Sequence, residues 1–134
     1  MVDGPEFERW RAEADGALES ARLSASGELH NWACFSAEQA AQLAVEALLH
    51  GLGRGPWGHD LVALGRSVAA SDVTVPPSIA EAFGRLSRHY ISSRYPDAHA
   101  AGPARDHYGP GDSAAAIADA EAVLEFVDEA WVAL

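Results

Sequence analysis

The stretch from about Asn31 to Leu49 constrains the fold most, because it is apolar on nearly every side of a helix. Its large apolar residues, joined by many alanines, are Trp32, Phe35, Leu43, Val45, Leu48 and Leu49. Its polar residues form one strip: Glu38, Gln39, Gln42 and Glu46. Such a helix is usually central, so we expect only the polar strip to face water or a partner. Asn31 is a plausible N-cap, and the segment Gly51–Gly58 ends the helix.

Four other segments have helical periodicity, and none shows the alternation typical of a strand. The predicted helices cover Pro5 to about Gly27, Asp60–Val68, Ser78 to about Ile91, and about Ser113 to Val132. Asp60 is expected to cap the short helix, and Asp112 or Ser113 the last one. Because short connections favour antiparallel neighbours, the sequence predicts an all-α, up-and-down four-helix bundle with one additional short helix. We expect a single domain over residues 1–134.

Composition narrows the classes of function. The single cysteine, Cys34, excludes an internal disulfide framework and fits a reducing compartment. The sequence has neither a run of apolar residues long enough to span a membrane nor a charged leader before an apolar segment, so we expect a cytoplasmic protein. The net charge of −11 argues against a broad electrostatic grip on nucleic acid.

The acidic character is interrupted between residues 85 and 107. Four of the nine basic residues lie there, namely Arg85, Arg88, Arg94 and Arg105. Residues 94–112 show no clear periodicity and hold three prolines and three glycines. A connection of that length in a compact domain is usually functional or mobile. The segment His89–His99, which reads HYISSRYPDAH, is therefore the first place to look for a site.

Three motifs resemble those of the HEPN family, named for higher eukaryotes and prokaryotes nucleotide-binding. They are WACFSAEQAA at Trp32–Ala41, GHDL at Gly58–Leu61, and YISSRYPDA at Tyr90–Ala98. The resemblance implies an antiparallel helical bundle that commonly dimerises. It also implies that the chain is similar to metal-independent ribonucleases, which are often toxins paired with a minimal nucleotidyltransferase antitoxin. The family signature, an Arg followed a few residues later by a His, matches Arg94 and His99.

Under this resemblance, Arg94 and His99 are the candidate catalytic residues. Metal-free RNA cleavage removes the 2′-OH proton, stabilises the phosphate charge and protonates the leaving 5′-oxygen. His99 suits proton transfer, and the planar guanidinium of Arg94 suits two phosphate oxygens. One Arg and one His make half a site, which a two-fold dimer would complete. We expect no metal or cofactor, since Cys34 has no CxxC partner and Gly51–Gly58 lacks a P-loop ending.

Four further residues are candidate substrate contacts. Tyr90 and Tyr95 can stack on bases, and Arg88 can hold a phosphate. Asp97 can orient His99 by accepting its ring N–H. His107 can contribute to a mobile lid over the same cleft.

Other interpretations stay open at the level of sequence. Arg94 can simply bind carbonyls at a helix C-terminus, and Tyr90 can be a core residue. A second function is a non-catalytic nucleotide-binding or adaptor module, with Arg88 and Arg94 holding phosphates. A third is a dimerisation partner of a nucleotidyltransferase, with the acidic last helix facing a basic partner surface.

Overall fold

The computed structural model describes residues 2–134, and the regular structure in that range is helical. The helices are α1 (Gly4–Ser26), α2 (His30–Gly51), α3 (Leu61–Ala69), α4 (Pro77–Ser87), α5 (His89–Ser92) and α6 (Pro110–Val132). Two 3₁₀ turns, Pro96–Ala98 and Ala104–His107, lie between α5 and α6. Helices α1, α2, α4 and α6 form the bundle and α3 is the additional short helix, which confirms the predicted fold. Within residues 2–134, no helix has both the length and the apolar character needed to cross a membrane.

Helix α2 lies at the centre of the bundle, as its composition predicts. It packs most extensively against α1 and α6 and also contacts α3, α4 and α5. Its fully buried small residues are Ala33, Ala37, Ala40, Ala41, Ala44 and Ala47. Small side chains let the neighbouring helix axes approach closely, while Val45, Leu48 and Leu49 supply the apolar volume that fills the core.

Three of the four residues in the polar strip of α2 are buried and Gln39 is half-buried, so the prediction that the strip faces water or a partner is wrong for those three. Glu38 is 0% exposed, Gln42 3% and Glu46 9%. The reason is that α5 and the loop before α3 cover this face. Gln42 Nε2, for example, lies 2.9 Å from Nδ1 of His59 in that loop. A helical pattern shows which residues share a face, but it does not show whether a loop returns to cover that face.

The helix caps are partly as predicted. Asp60 caps α3, because its Oδ1 accepts a hydrogen bond from Ala63 N–H at 3.1 Å. Asn31, by contrast, is not an N-cap: it lies inside α2, is buried, and donates from Nδ2 to the Ser93 carbonyl at 2.9 Å.

Helix α6 begins at Pro110, before the predicted start at Ser113. Its N-cap is Gly109, so the prediction of Asp112 or Ser113 is wrong. Proline, whose fixed φ suits the first turn of a helix, starts the helix early. Asp112 therefore lies within the first turn, where its carboxylate accepts the Gly109 N–H at 2.8 Å.

Three ion pairs join the acidic helix α6 to the rest of the bundle. They are Arg11 with Asp128 at 2.7 Å, Arg22 with Glu121 at 2.7 Å, and Arg85 with Asp119 at 2.9 Å. Half of the acidic side chains in the α6 region are thus engaged by arginines of the same chain. These exposed pairs stabilise the fold only modestly, but they reduce the negative charge that α6 presents outwards.

Candidate functional site

The helix predicted over Ser78 to Ile91 is interrupted at Arg88, and α5 continues it for one turn. Three successive side chains then donate to main-chain carbonyls four residues earlier. The pairs are Ser92 Oγ with the Arg88 carbonyl, Ser93 Oγ with that of His89, and the Arg94 guanidinium with that of Tyr90. Because the guanidinium occupies the Tyr90 carbonyl, the Arg94 N–H bonds to Ile91 instead, at 3.1 Å. Such side-chain bonding competes with the helical ladder and ends the helix here.

Arg94 lies in an aromatic cage, which we define as Phe35, Tyr90 and Tyr95. The guanidinium carbon is 4.3 Å from the ring centre of Phe35, 4.7 Å from that of Tyr90 and 5.0 Å from that of Tyr95. Its Nε and one terminal nitrogen donate to the Tyr90 carbonyl at 2.9 and 2.6 Å. Cation–π contacts and two hydrogen bonds therefore fix the charge, and Arg94 forms no ion pair with any residue of the described range.

A buried acid lies next to the cage. Glu38 follows Phe35 by one turn on the same face of α2, and its Oε1 accepts from Gln39 at 2.7 Å. Its Oε2 is buried and has no hydrogen-bond partner among residues 2–134. Burial raises the pKa of the Glu38 carboxyl from 4.5 to about 7, while the Gln39 hydrogen bond and the charge of Arg94 act in the opposite direction.

His99 lies in a different place, an open cleft of about 360 Å³ that we call the histidine cleft. Its lining residues are Arg88, His89, Ser92, His99, His107, Tyr108 and Asp112. His99 Nε2 lies 2.6 Å from the Ser92 carbonyl, and a carbonyl only accepts, so Nε2 carries the proton. Nδ1 of His99 is then the basic nitrogen, and it has no hydrogen-bond partner in the described part of the chain.

The imidazole of His107 stacks on that of His99. The two ring centres are 4.1 Å apart and the planes differ by 4°. His107 Nε2 lies 2.7 Å from the Ala101 carbonyl, so His107 has the same tautomer as His99. The cleft therefore contains two parallel rings, each fixed through Nε2.

Ser92, Tyr108 and His89, which also line the cleft, form a hydrogen-bonded chain. Ser92 Oγ donates to the Arg88 carbonyl at 2.6 Å, so the Tyr108 hydroxyl donates to Ser92 Oγ at 2.7 Å. His89 Nδ1 then donates to the Tyr108 oxygen at 3.2 Å. Burial, with the nearby charge of Arg88, lowers the pKa of His89. This chain fixes the orientation of Tyr108 and His89.

The structure divides the predicted site residues between these two places. Tyr90 and Tyr95 lie with Arg94 in the cage, whereas Arg88 lies with His99 in the cleft. Within one copy, the cleft lining does not include Arg94.

The predicted contact between Asp97 and His99 is absent, because the ring proton of His99 goes to the Ser92 carbonyl. The 3₁₀ turn Pro96–Ala98 holds Asp97, which is exposed. The catalytic and substrate-binding roles assigned from the sequence stay predictions.

Sequence reasoning missed Phe35, Glu38 and Ser92 as parts of the site. Phe35 and Glu38 belong to α2 and reach Arg94 only through helix packing, so no local signal marks them. Ser92 does have a local signal, because a serine near the end of a helix commonly donates a hydrogen bond to the carbonyl four residues earlier, here that of Arg88. His107 does lie in the cleft, but as a stacked partner of His99.

Large apolar side chains are exposed around the cage. Trp32 is 46% exposed, Tyr95 45% and Ile91 50%. The Trp32 ring contacts Phe35 edge to face at 6.3 Å, so this surface continues directly into the cage. An apolar patch of this kind beside a charged group is typical of an interaction surface. Nowhere in residues 2–134 do three His, Cys, Asp or Glu side chains lie close enough together to share a metal ion.

Comparisons with known proteins agree on one family. The sequence profile of the HEPN domain matches residues 7–130. A crystal structure from Thermus thermophilus is 38% identical, with a TM-score of 0.90, and the match covers 92% of this chain and 97% of that one. An archaeal HEPN homologue is 32% identical, with a TM-score of 0.76 and coverage of 92% and 95%.

A HEPN domain protein from Thermotoga maritima shares the fold. It is 20% identical, with a TM-score of 0.77, and the match covers 94% of this chain and 99% of that one. No curated protein matches the sequence significantly.

Proposed function

Because the chain belongs to the HEPN domain family, we propose that it is a metal-independent endoribonuclease that acts as a dimer. We further propose that it is the toxin of a toxin–antitoxin pair whose antitoxin is a minimal nucleotidyltransferase. The main observation in favour of cleavage is the histidine cleft. It presents the basic Nδ1 of His99 in an open cavity beside the guanidinium of Arg88.

The cleft has the groups that the first half of the reaction needs. Nδ1 of His99 accepts the 2′-OH proton of the substrate, and the freed 2′-oxygen attacks the adjacent phosphorus. Arg88 is exposed at the cleft and stabilises the negative charge that develops on the phosphate oxygens. The hydrogen bond to the Ser92 carbonyl holds the neutral imidazole in the tautomer whose Nδ1 can accept that proton.

In the proposed dimer, Arg94 contributes a positive charge near the two-fold axis. Tyr95 of the cage and the nearby side chains of Trp32 and Ile91 are exposed, and an isologous contact through them buries this surface. Two Arg94 side chains then approach the two-fold axis. Among residues 2–134 Arg94 has no ion-pair partner, so its charge can pair with an RNA phosphate once the guanidinium turns away from the Tyr90 carbonyl.

The test is RNA cleavage in EDTA by the wild type and by the Arg94→Ala, His99→Ala double variant. The wild type should cleave single-stranded RNA, and the double variant should cleave it at least about 100-fold more slowly. Arg22→Ala, which breaks only an exposed ion pair with α6, is the control and should retain the full rate. An inactive wild type, or a double variant as active as the wild type, contradicts the proposal.

One observation favours the second candidate, a non-catalytic nucleotide-binding module. The guanidinium fork of Arg94 is already turned to the Tyr90 carbonyl, so it meets a phosphate only after moving. Saturable binding of a nucleotide by a protein that cleaves no RNA supports this candidate. The third possibility, a partner surface on the acidic helix, has less support because Asp119, Glu121 and Asp128 are paired within the chain.

A further inference from the structure

We propose that His107 is the proton donor to the leaving 5′-oxygen, so that one copy of the chain holds both the base and the acid of the reaction. This inference rests on the proposed ribonuclease function. It adds His107, which lies outside the Arg94–His99 motif, to the reacting residues. It also assigns to the same copy of the chain the general acid that a second copy is otherwise needed to supply.

The position of His107 is well defined. It ends the 3₁₀ turn Ala104–His107, in which Ala104 is buried and packs towards α2. Its Nε2 donates to the Ala101 carbonyl at 2.7 Å, across the turn at Gly102, whose φ of 77° favours glycine. The loop is therefore anchored at both ends, and the ring is fixed against His99.

The geometry of the pair suits two proton transfers at one phosphate. The ring centres are 4.1 Å apart and both rings have Nε2 engaged, so each keeps an unengaged Nδ1. The two rings are thus close enough together for one phosphate group to contact both.

The two rings differ in their access to solvent. His107 is exposed, whereas His99 is partly buried. Asp112 lines the same cleft.

The resulting step is balanced. His99 Nδ1 takes the 2′-OH proton, the 2′-oxygen forms a bond to phosphorus, and the bond from phosphorus to the 5′-oxygen breaks. Nδ1 of protonated His107 gives its proton to that 5′-oxygen. The products are a 2′,3′-cyclic phosphate and a 5′-hydroxyl end, and proton exchange with water restores both rings.

The experiment compares two substrates in EDTA for the wild type, His107→Gln and His107→Ala. One is a ribodinucleotide, whose 5′-alkoxide leaves only with a proton. The other is a uridine 3′-(p-nitrophenyl phosphate), whose leaving group needs none. We expect both variants to cleave the dinucleotide about 10²–10⁴-fold more slowly and the nitrophenyl ester at nearly the wild-type rate. His50→Gln, a histidine stacked on Trp10 rather than in the cleft, is the matched control.

The outcomes separate the two proposals. If the wild type cleaves and the His107 variants lose the same factor on both substrates, His107 only positions His99 and the inference is wrong. If the variants retain wild-type rates on both substrates, His107 has no role in the reaction. If the wild type cleaves neither substrate, the ribonuclease proposal fails and this inference fails with it.

Discussion

Arg94 of the aromatic cage and His99 of the histidine cleft lie five residues apart in the sequence, yet their surroundings hold them in opposite ways. In the cage, three rings and a carbonyl enclose the guanidinium of Arg94, next to the buried acid Glu38. In the cleft, His99 is tied through Nε2 alone and its other nitrogen stays accessible. The cage holds a charge in place, whereas the cleft leaves a base free to react. Two residues of one sequence motif, here Arg94 and His99, can therefore have distinct physical roles.

The largest effect should come from substituting the two residues separately. His99→Ala should lower the RNA cleavage rate by about 10²–10⁴-fold and the free energy of unfolding by only about 1 kcal/mol, since it removes a proton acceptor and one hydrogen bond to the Ser92 carbonyl. Arg94→Ala should lower the cleavage rate and cost more stability, because it also removes the group at the centre of the cage. Cleavage assays and urea unfolding of the same preparations measure the two effects. Equal changes in stability for the two variants would contradict this contrast.

The next effect concerns Glu38 and depends on pH. Because the pKa of Glu38 is raised from 4.5 to about 7, the folded protein binds this proton more tightly than the unfolded chain does. Its contribution to stability is therefore complete below pH 4.5 and is lost as pH rises through 7. Glu38→Gln keeps a neutral, hydrogen-bonding group and removes that loss. At pH 8 we expect the variant to be more stable than the wild type by up to about 3 kcal/mol, since one pKa unit corresponds to about 1.36 kcal/mol.

Urea unfolding at pH 4.5, 6 and 8 tests this expectation. The difference between the two proteins should grow with pH. Burial also raises the pKa of Glu46, and the charge of Glu46 in turn raises the pKa of Glu38, so the difference between the two proteins includes this coupling. Since the charge of Arg94 lowers the pKa of Glu38, Arg94→Ala should make the loss of stability with pH larger. A pH-independent difference between wild type and Glu38→Gln would show that Glu38 stays ionised in the folded protein.

The contrast between the two places also shows what the sequence could reveal. The bundle follows from apolar periodicity, and Asp60 follows from its position before an apolar run, because both signals are local. The burial of Glu38 depends on α5 and the loop before α3 returning over α2, which no local pattern records. The stack of His99 on His107 joins two residues across an aperiodic loop, so the sequence showed the histidines but not their contact.

The smallest effect concerns the contact between Arg94 and Tyr95 within the cage. Tyr95 is 45% exposed, so its contact with the guanidinium should stabilise the fold by only about 0.5–1 kcal/mol. A double-mutant cycle of Arg94→Met and Tyr95→Leu, followed by urea unfolding, isolates that energy from the effect of each change alone. Trp57→Leu is the matched control, because Trp57 is 90% exposed and lies outside the cage, so its cycle with Arg94→Met should show no coupling. Equal coupling in both cycles would mean that the cage contributes nothing specific. Coupling confined to Tyr95 would show that the rings hold Arg94 against its helix, and that a phosphate ligand must compete with them to move it.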